Sequence, residues 1–160
     1  MVTYAPPKVM ARQWLTIYQW GPYWVRPICA AGTLSNAYLA WLGPTGLQRN
    51  VYVAAAIGIG AILPITFVYF EPGVNGACKW KVQSVLRDEG FEMPPFNGMP
   101  SSLRHSATKQ TKVWAEATDL KELIATWGRL NHLRWVIGLL AAALSGYATF
   151  LRLYGRASTL

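Results

Sequence analysis

The sequence contains few charged residues. Asp, Glu, Lys and Arg make up 14% of its 160 residues, against about a quarter in soluble domains, and a hydrophobic share of 52% excludes disorder. Acidic residues are scarcest, seven against 15 Lys and Arg, which leaves a net charge of +8. The cations lie in segments between long uncharged runs instead of forming one stripe. We therefore expect no nucleic-acid partner, and the pattern indicates a multi-spanning membrane protein with basic loops.

Metal-binding and redox residues are equally scarce. Cys29 and Cys78 form no Cys-x-x-Cys pair and no cluster with His105 or His132, so neither a disulfide framework nor a metal site is predicted. A Gly-rich phosphate loop, a nucleophile elbow and paired haem histidines are also missing from the sequence. These absences exclude most of the common cofactor and hydrolase motifs.

Three apolar segments organise the chain, at 27–43, 50–70 and 134–151. A helix of about 20 residues crosses the hydrocarbon core of a bilayer, and a chain in lipid must satisfy its backbone hydrogen bonds internally. The third segment is short, but Arg134 and Arg152 at its ends can extend to the interfaces. We therefore predict an all-α, multi-pass transmembrane bundle with about three spanning helices, forming a single membrane domain over residues 1–160.

One long connection separates the second and third spans. Prolines and glycines are frequent in its first half, which predicts a long polar loop over 71–106. Apolar residues then recur at steps of three and four, which predicts an amphipathic helix over 107–133. These apolar residues form a stripe along the helix, which consists of Val113, Ala117, Leu120, Ile124 and Trp127. The stripe continues into the last span, so one helix should extend from the loop into the membrane.

Asn131 lies at the centre of this stripe, with Trp127 four residues before it and Arg134 three residues after it. The three side chains therefore share a helix face. Either Asn131 makes a helix–helix hydrogen bond while Arg134 and Trp127 lie at the membrane interface, or the three side chains form part of a site. His132 points about 100° away from Asn131, which favours a solvated position over a ligand role. Glu71 is either a cap on the loop or a buried base.

Several short motifs occur in a fixed order along nearly the whole chain. They are Gln13-Trp14 with Tyr18, Gly21 and Pro27; Pro64 and Thr66 followed by Pro72 and Asn75; and the run from Thr126 to Arg134 with its Trp-x-x-x-Asn-x-x-Arg element. Together they resemble the fungal anthrone oxygenases, a small integral-membrane family first catalogued as a domain of unknown function. Members of that family typically have four spans. This sequence begins where their first helix would end, so we expect either a missing first helix or a three-helix version closed by self-association.

The resemblance implies a reaction and its setting. An anthrone, the reduced tricyclic product of a polyketide synthase, would be oxidised by dioxygen at its methylene carbon to an anthraquinone. The enzyme would be a monooxygenase of secondary metabolism that needs no cofactor, because an enolised anthrone can itself reduce its co-substrate dioxygen. It would lie in an intracellular membrane such as the endoplasmic reticulum. Its partners would be the aromatic polyketide substrate, the lipid bilayer, and further copies of the chain or enzymes of the polyketide pathway.

The resemblance also implies site residues. Arg134 would stabilise the enolate oxygen, Asn131 would orient it, and Trp127 would stack on the substrate. The aromatic cleft would be lined by Trp14, Tyr18, Trp127 and Trp135. The base that removes the methylene proton is His132, Glu71 or water, and the sequence leaves these three open.

Two other classes of function remain. A non-catalytic membrane scaffold or accessory subunit would show the same packing glycines and interfacial aromatic residues. A small-molecule transporter would require charged residues or broken helices at mid-membrane, for which Pro64 is the main candidate. Oxygen-dependent turnover separates the oxygenase from both.

Overall fold

The computed structural model describes residues 5–43 and 46–157 and is all-α over these residues, as predicted. The ends of the expected domain, 1–4 and 158–160, lie outside the described residues. In chain order the elements are α1 (Pro7–Leu42), α2 (Leu47–Ile65), a π-helical stretch (Thr66–Asn75), α3 (Gly76–Leu86), a 3₁₀ turn (Arg87–Glu89), α4 (Lys109–Ala117) and α5 (Leu120–Ala157).

Two of these helices are long and apolar enough to cross a membrane. They are Leu47–Glu89, taken across its kink, and Leu120–Tyr154, which contain the predicted spans 50–70 and 134–151. Only 17% and 11% of their most apolar stretches are buried within the protein, so most of this surface is available to lipid. The third predicted span, 27–43, is helical within α1. Because α1 is not among the helices that meet this test, that span stays a prediction.

The segment predicted to be a loop contains a helix. The expectation of a loop over 71–106 is wrong for 71–89, which comprises the end of the π-helical stretch, α3 (Gly76–Leu86) and the 3₁₀ turn. Pro72, Gly73 and Gly90 flank α3, whereas its interior has no helix breaker. Irregular chain follows the 3₁₀ turn and continues to Thr108, whose side chain caps α4.

The amphipathic helix predicted over 107–133 is divided in two. Thr118, in extended conformation, ends α4, and the Asp119 carbonyl accepts a hydrogen bond from Leu123 at 3.0 Å at the start of α5. Threonine and aspartate favour helix caps over helix interiors, which explains a break at this point. From Leu120 onward the prediction is confirmed, because α5 is one continuous helix into the apolar segment.

The described chain falls into two compact units. The first comprises Met1–Trp24, described from residue 5, and Ile65–Asn131. Within it α3 packs against α4, and Arg12 near the start of α1 pairs with Glu89 at 2.5 Å. Its core is the larger of the two and contains the buried side chains of Trp14, Tyr18, Phe70, Cys78, Val82, Leu86, Leu123 and Ile124.

The second unit comprises Val25–Pro64 and His132–Leu160. Small residues permit close helix approach in it, since a Cβ at Gly58 would lie 3.6 Å from Ala141 and one at Gly60 would lie 3.5 Å from Thr33. The second unit also exposes many large apolar side chains, which is the surface expected of a protein in lipid. Examples are Ile28, Leu34, Trp41, Ile57, Trp135, Leu139, Leu140 and Phe150.

Candidate active site

The first unit contains a helix break that positions Glu71. The next residue, Pro72, has no N–H to donate, and Gly73 leaves helical geometry at φ −88° and ψ −116°. At this break the Glu71 carbonyl accepts a hydrogen bond from the Ser106 hydroxyl at 2.6 Å. Widened π-helical turns of this kind are frequent at functional sites. The break therefore fixes Glu71 against the loop that precedes α4.

The Glu71 carboxylate is buried and surrounded by donors. The Tyr18 hydroxyl donates to it, with 2.7 Å between Oη and Oε2. The Lys79 ammonium lies 3.2 Å from Oε1, and the Asn75 amide donates to Oε2 at 3.3 Å. We call Tyr18, Glu71, Asn75 and Lys79 the carboxylate cluster. A buried carboxylate requires such donors, because an unpaired buried charge is costly.

Lys79 is fully buried and joins the cluster to the loop. Its ammonium also donates to the backbone carbonyls of Ser101, at 3.1 Å, and Arg104, at 2.8 Å. With an ion pair and two carbonyl contacts, the three protons of the ammonium group have enough acceptors. Lys79 thus holds the Glu71 carboxylate and the loop in one arrangement.

Aromatic rings cover the carboxylate cluster. Trp14 stacks on Tyr18, with 4.8 Å between ring centroids and an interplanar angle of 6°. Trp127 meets Trp14 edge-on, at 5.9 Å and 79°. Trp14 is fully buried and Trp127 is half-buried. The structure therefore brings together three of the predicted lining residues, which we call the aromatic cover.

The remaining predicted site residues are placed differently. Asn131 is half-buried, and its side-chain amide donates to the Trp127 carbonyl on the same helix at 2.8 Å. His132 is exposed and Arg134 is half-buried, and both belong to the second unit, as does the exposed Trp135. Their roles stay predictions.

Sequence reasoning missed Lys79. It lies in the segment predicted to be a loop, where a lysine has no reason to be buried. An available signal was the stretch 77–86, which contains no glycine or proline and could have been assigned to a helix. Even so, the pairing of Lys79 with Glu71 is a tertiary contact that no local pattern predicts.

The outer face of α3 forms a second polar cluster. His105 Nε2 lies 2.6 Å from Gln83 Oε1, and its ring lies 5.4 Å from that of Trp80. Burial lowers the pKa of His105, and the charges of Lys79 and Lys112 lower it further. A cavity of about 470 Å³ lies alongside. Its lining includes Trp80, Gln83, Ser84, Arg87, Phe91 and Glu116.

Among residues 5–43 and 46–157 there is no group of three or more His, Cys, Asp or Glu side chains that could hold a metal ion. Cys29 and Cys78 are buried free thiols. The polar chemistry of the first unit therefore lies in the carboxylate cluster and in the groups around His105.

These features define an all-helical protein with two helices of membrane-spanning length and a buried carboxylate beneath an aromatic cover. The sequence model of the anthrone oxygenase family matches residues 14–144, which is most of the chain. The protein belongs to the anthrone oxygenase family. The match includes the whole aromatic cover, the carboxylate cluster, Asn131 and Arg134. No curated protein and no solved structure shows a significant match.

Proposed function

We propose that this protein oxidises a polyketide-derived anthrone to an anthraquinone with dioxygen. In this reaction the methylene carbon loses two hydrogens and gains one oxygen atom, and the second oxygen atom leaves as water. Family membership supports the reaction class. The observation that carries the proposal is the buried Glu71 carboxylate, which accepts a hydrogen bond from a tyrosine stacked on a fully buried tryptophan.

Glu71 is the base in this proposal, acting through Tyr18. As the Tyr18 oxygen takes the methylene proton, the hydroxyl proton of Tyr18 passes to Glu71 along the existing hydrogen bond. Of the three candidates for the base, Glu71 is supported by its burial and by its bond to an aromatic lining residue. His132 is exposed and lies in the second unit, which gives it no comparable support.

The surroundings of the base supply binding and positioning. Trp14 and Trp127 offer flat apolar surfaces to a tricyclic substrate. Lys79 keeps the carboxylate in place by its ion pair and its bonds to the loop carbonyls. We retain, as a separate proposal, the roles of Arg134 in stabilising the enolate oxygen and of Asn131 in orienting it, since a nearby cation stabilises such an oxygen. The enolate then reduces dioxygen without a resident cofactor.

A membrane location fits this substrate. The two helices of membrane-spanning length are mostly unburied, and a flat hydrophobic anthrone partitions into lipid. We propose an intracellular membrane such as the endoplasmic reticulum, where polyketide enzymes could transfer the substrate directly or through the bilayer.

Conversion of an anthrone under ¹⁸O-labelled dioxygen tests the proposal. Membranes containing the full chain are compared with empty membranes and with two variants, Glu71→Gln and Glu122→Gln. Glu122 is the control because it is an exposed carboxylate at the start of α5. We expect ¹⁸O in the quinone above background for the wild type and for Glu122→Gln, and a loss of about 100-fold or more for Glu71→Gln.

Other outcomes separate the alternatives. Background conversion by the wild type would contradict the oxygenase proposal and favour a membrane scaffold. Full activity of Glu71→Gln would exclude Glu71 as the base. Asn131→Leu should abolish turnover while membrane insertion stays intact, and equal activity in that variant would remove Asn131 from the site.

A further inference from the structure

Three buried polar atoms near the carboxylate cluster have no hydrogen-bond partner. They are Nε1 of Trp14, Nε1 of Trp127 and Oδ1 of Asn75. Buried polar groups are nearly always paired in folded proteins, so each exception requires an explanation. Trp14 stacks on Tyr18, Trp127 contacts Trp14, and Asn75 donates to Glu71. Oδ1 of Asn36 and Nδ1 of His105 are also unpaired. The three atoms named first belong to one connected set of side chains, and two of them are donors of the same kind.

Contacts between the two indoles do not meet both donors. In an edge-on pair, one ring can direct an N–H group at the face of the other, which is a weak interaction. A single edge-on contact can serve only one of the two N–H groups. Trp80, elsewhere in the same unit, shows the usual situation, because its indole N–H donates to Glu116 at 3.1 Å. The unpaired indoles are thus a feature of the aromatic cover.

We propose that the indole N–H groups of Trp14 and Trp127 donate hydrogen bonds to a carbonyl oxygen of the bound tricyclic ligand. Asn75 Oδ1 would accept from a hydroxyl group on the same ligand. The choice of a tricyclic ketone rests on the proposed function. Trp14 is enclosed, whereas Trp127 is half-buried, so the ligand approaches past Trp127. The two indoles then fix the ligand's orientation as well as its stacking.

If the indoles donate in this way, the protein should select flat ligands that have carbonyl oxygens over ligands of the same shape that lack them. Anthracene and 9,10-anthraquinone have nearly the same flat outline, but only the quinone offers carbonyl oxygens to the two donors. Stacking alone would bind both ligands similarly, whereas donation from two indoles would favour the quinone by about tenfold, at a few-fold per neutral hydrogen bond.

Isosteric replacement of the indole tests the proposal. In the full chain in lipid nanodiscs, Trp14 or Trp127 is replaced by 3-benzothienylalanine, which keeps the bicyclic ring and substitutes sulfur for N–H. Binding of anthraquinone and anthracene is measured by equilibrium titration, with empty nanodiscs as the partition reference. We expect each replacement to weaken anthraquinone binding by about threefold and to leave anthracene binding unchanged. The same replacement at Trp80 is the control and should change neither, because that N–H is already committed to Glu116.

Equal affinity of the wild type for the two ligands would overturn the proposal, and so would a quinone preference that survives both replacements. Far-UV circular dichroism of each variant verifies that the helices are intact. The binding readout is independent of turnover. If the protein prefers the quinone through its indole N–H groups but does not oxidise anthrone, the hydrogen-bonding role of the indoles is supported and the proposed reaction is rejected. If it oxidises anthrone without this preference, the reaction is supported and the role of the indoles is rejected.

Discussion

Removal of the Lys79 ammonium should destabilise the protein strongly. In Lys79→Met, a side chain of similar length replaces the ammonium, and the Glu71 carboxylate loses its ion-pair partner at 3.2 Å. The carbonyls of Ser101 and Arg104 lose a donor as well. Side chains of both members of the pair are almost completely enclosed, so water cannot readily replace the ammonium.

The magnitude follows from burial. Loss of one member of a buried ion pair typically costs about 3–5 kcal/mol, because the other charge stays buried without a partner. In Lys79→Met combined with Glu71→Gln both charges are absent, and the remaining cost is that of the two unpaired loop carbonyls, about 1–3 kcal/mol each. The single substitution carries this cost as well. Adding Glu71→Gln should therefore recover part of the stability that Lys79→Met loses. Lys81→Met is the matched control and should change stability by about 0.5 kcal/mol or less, since its side chain is not buried and its contact with the Glu116 carbonyl is long, at 3.5 Å.

The free energy of unfolding of the four proteins is measured in mixed micelles by titration with sodium dodecyl sulfate, followed by circular dichroism. The reasoning is refuted if Lys79→Met costs no more than Lys81→Met. It is equally refuted if Glu71→Gln destabilises the Lys79→Met protein further, since the cost would then not arise from an unpaired charge.

Two further predictions concern the same unit. Gly76→Ala should lower the free energy of unfolding by about 1–3 kcal/mol, because the new Cβ would lie 2.8 Å from the backbone of Ala107. Gly128→Ala should instead raise it by up to about 1 kcal/mol, because nothing lies within 4 Å of a Cβ at that helical site. Equal effects of the two substitutions in denaturant titrations would contradict this prediction. The pKa of His105 lies below its usual value of 6.5, so the unfolded chain takes up the proton first and stability should be lost as the pH falls below that value. His105→Gln should remove this part of the pH dependence, and an unchanged slope of unfolding free energy between pH 7 and 5 would show that His105 does not cause it.

Features that depend on local composition could be predicted from the sequence. The apolar segments 50–70 and 134–151 lie in the two membrane-length helices, because the requirement for length and apolarity in lipid acts on each segment alone. The apolar stripe likewise predicted the continuous helix from Leu120 into the last apolar segment. The α3 helix was not predicted, because prolines and glycines are frequent in the connection as a whole. They lie outside the interior of α3, which is therefore able to form a helix.

The site was predicted in part. Trp14, Tyr18 and Trp127 were proposed as lining residues, and the structure joins them in one aromatic cover. Their meeting requires α1 and α5 to pack together within the first unit, which is a tertiary arrangement that local patterns do not encode. For the same reason Glu71 could not be assigned between a loop cap and a buried base until its contacts with Tyr18 and Lys79 were known.

The helix break at Pro72 and Gly73 accounts for the carboxylate cluster. In an uninterrupted α-helix, Glu71 and Lys79 would be separated by about 12 Å along the axis, at 1.5 Å per residue, which is more than their side chains bridge comfortably. The observed 3.2 Å contact therefore depends on the change of direction between them. At the same break the Glu71 carbonyl accepts from Ser106, which follows the loop carbonyls that hold Lys79. A substitution such as Pro72→Ala, which favours a straight helix, should act on the ion pair and on the loop together, because one backbone feature positions both.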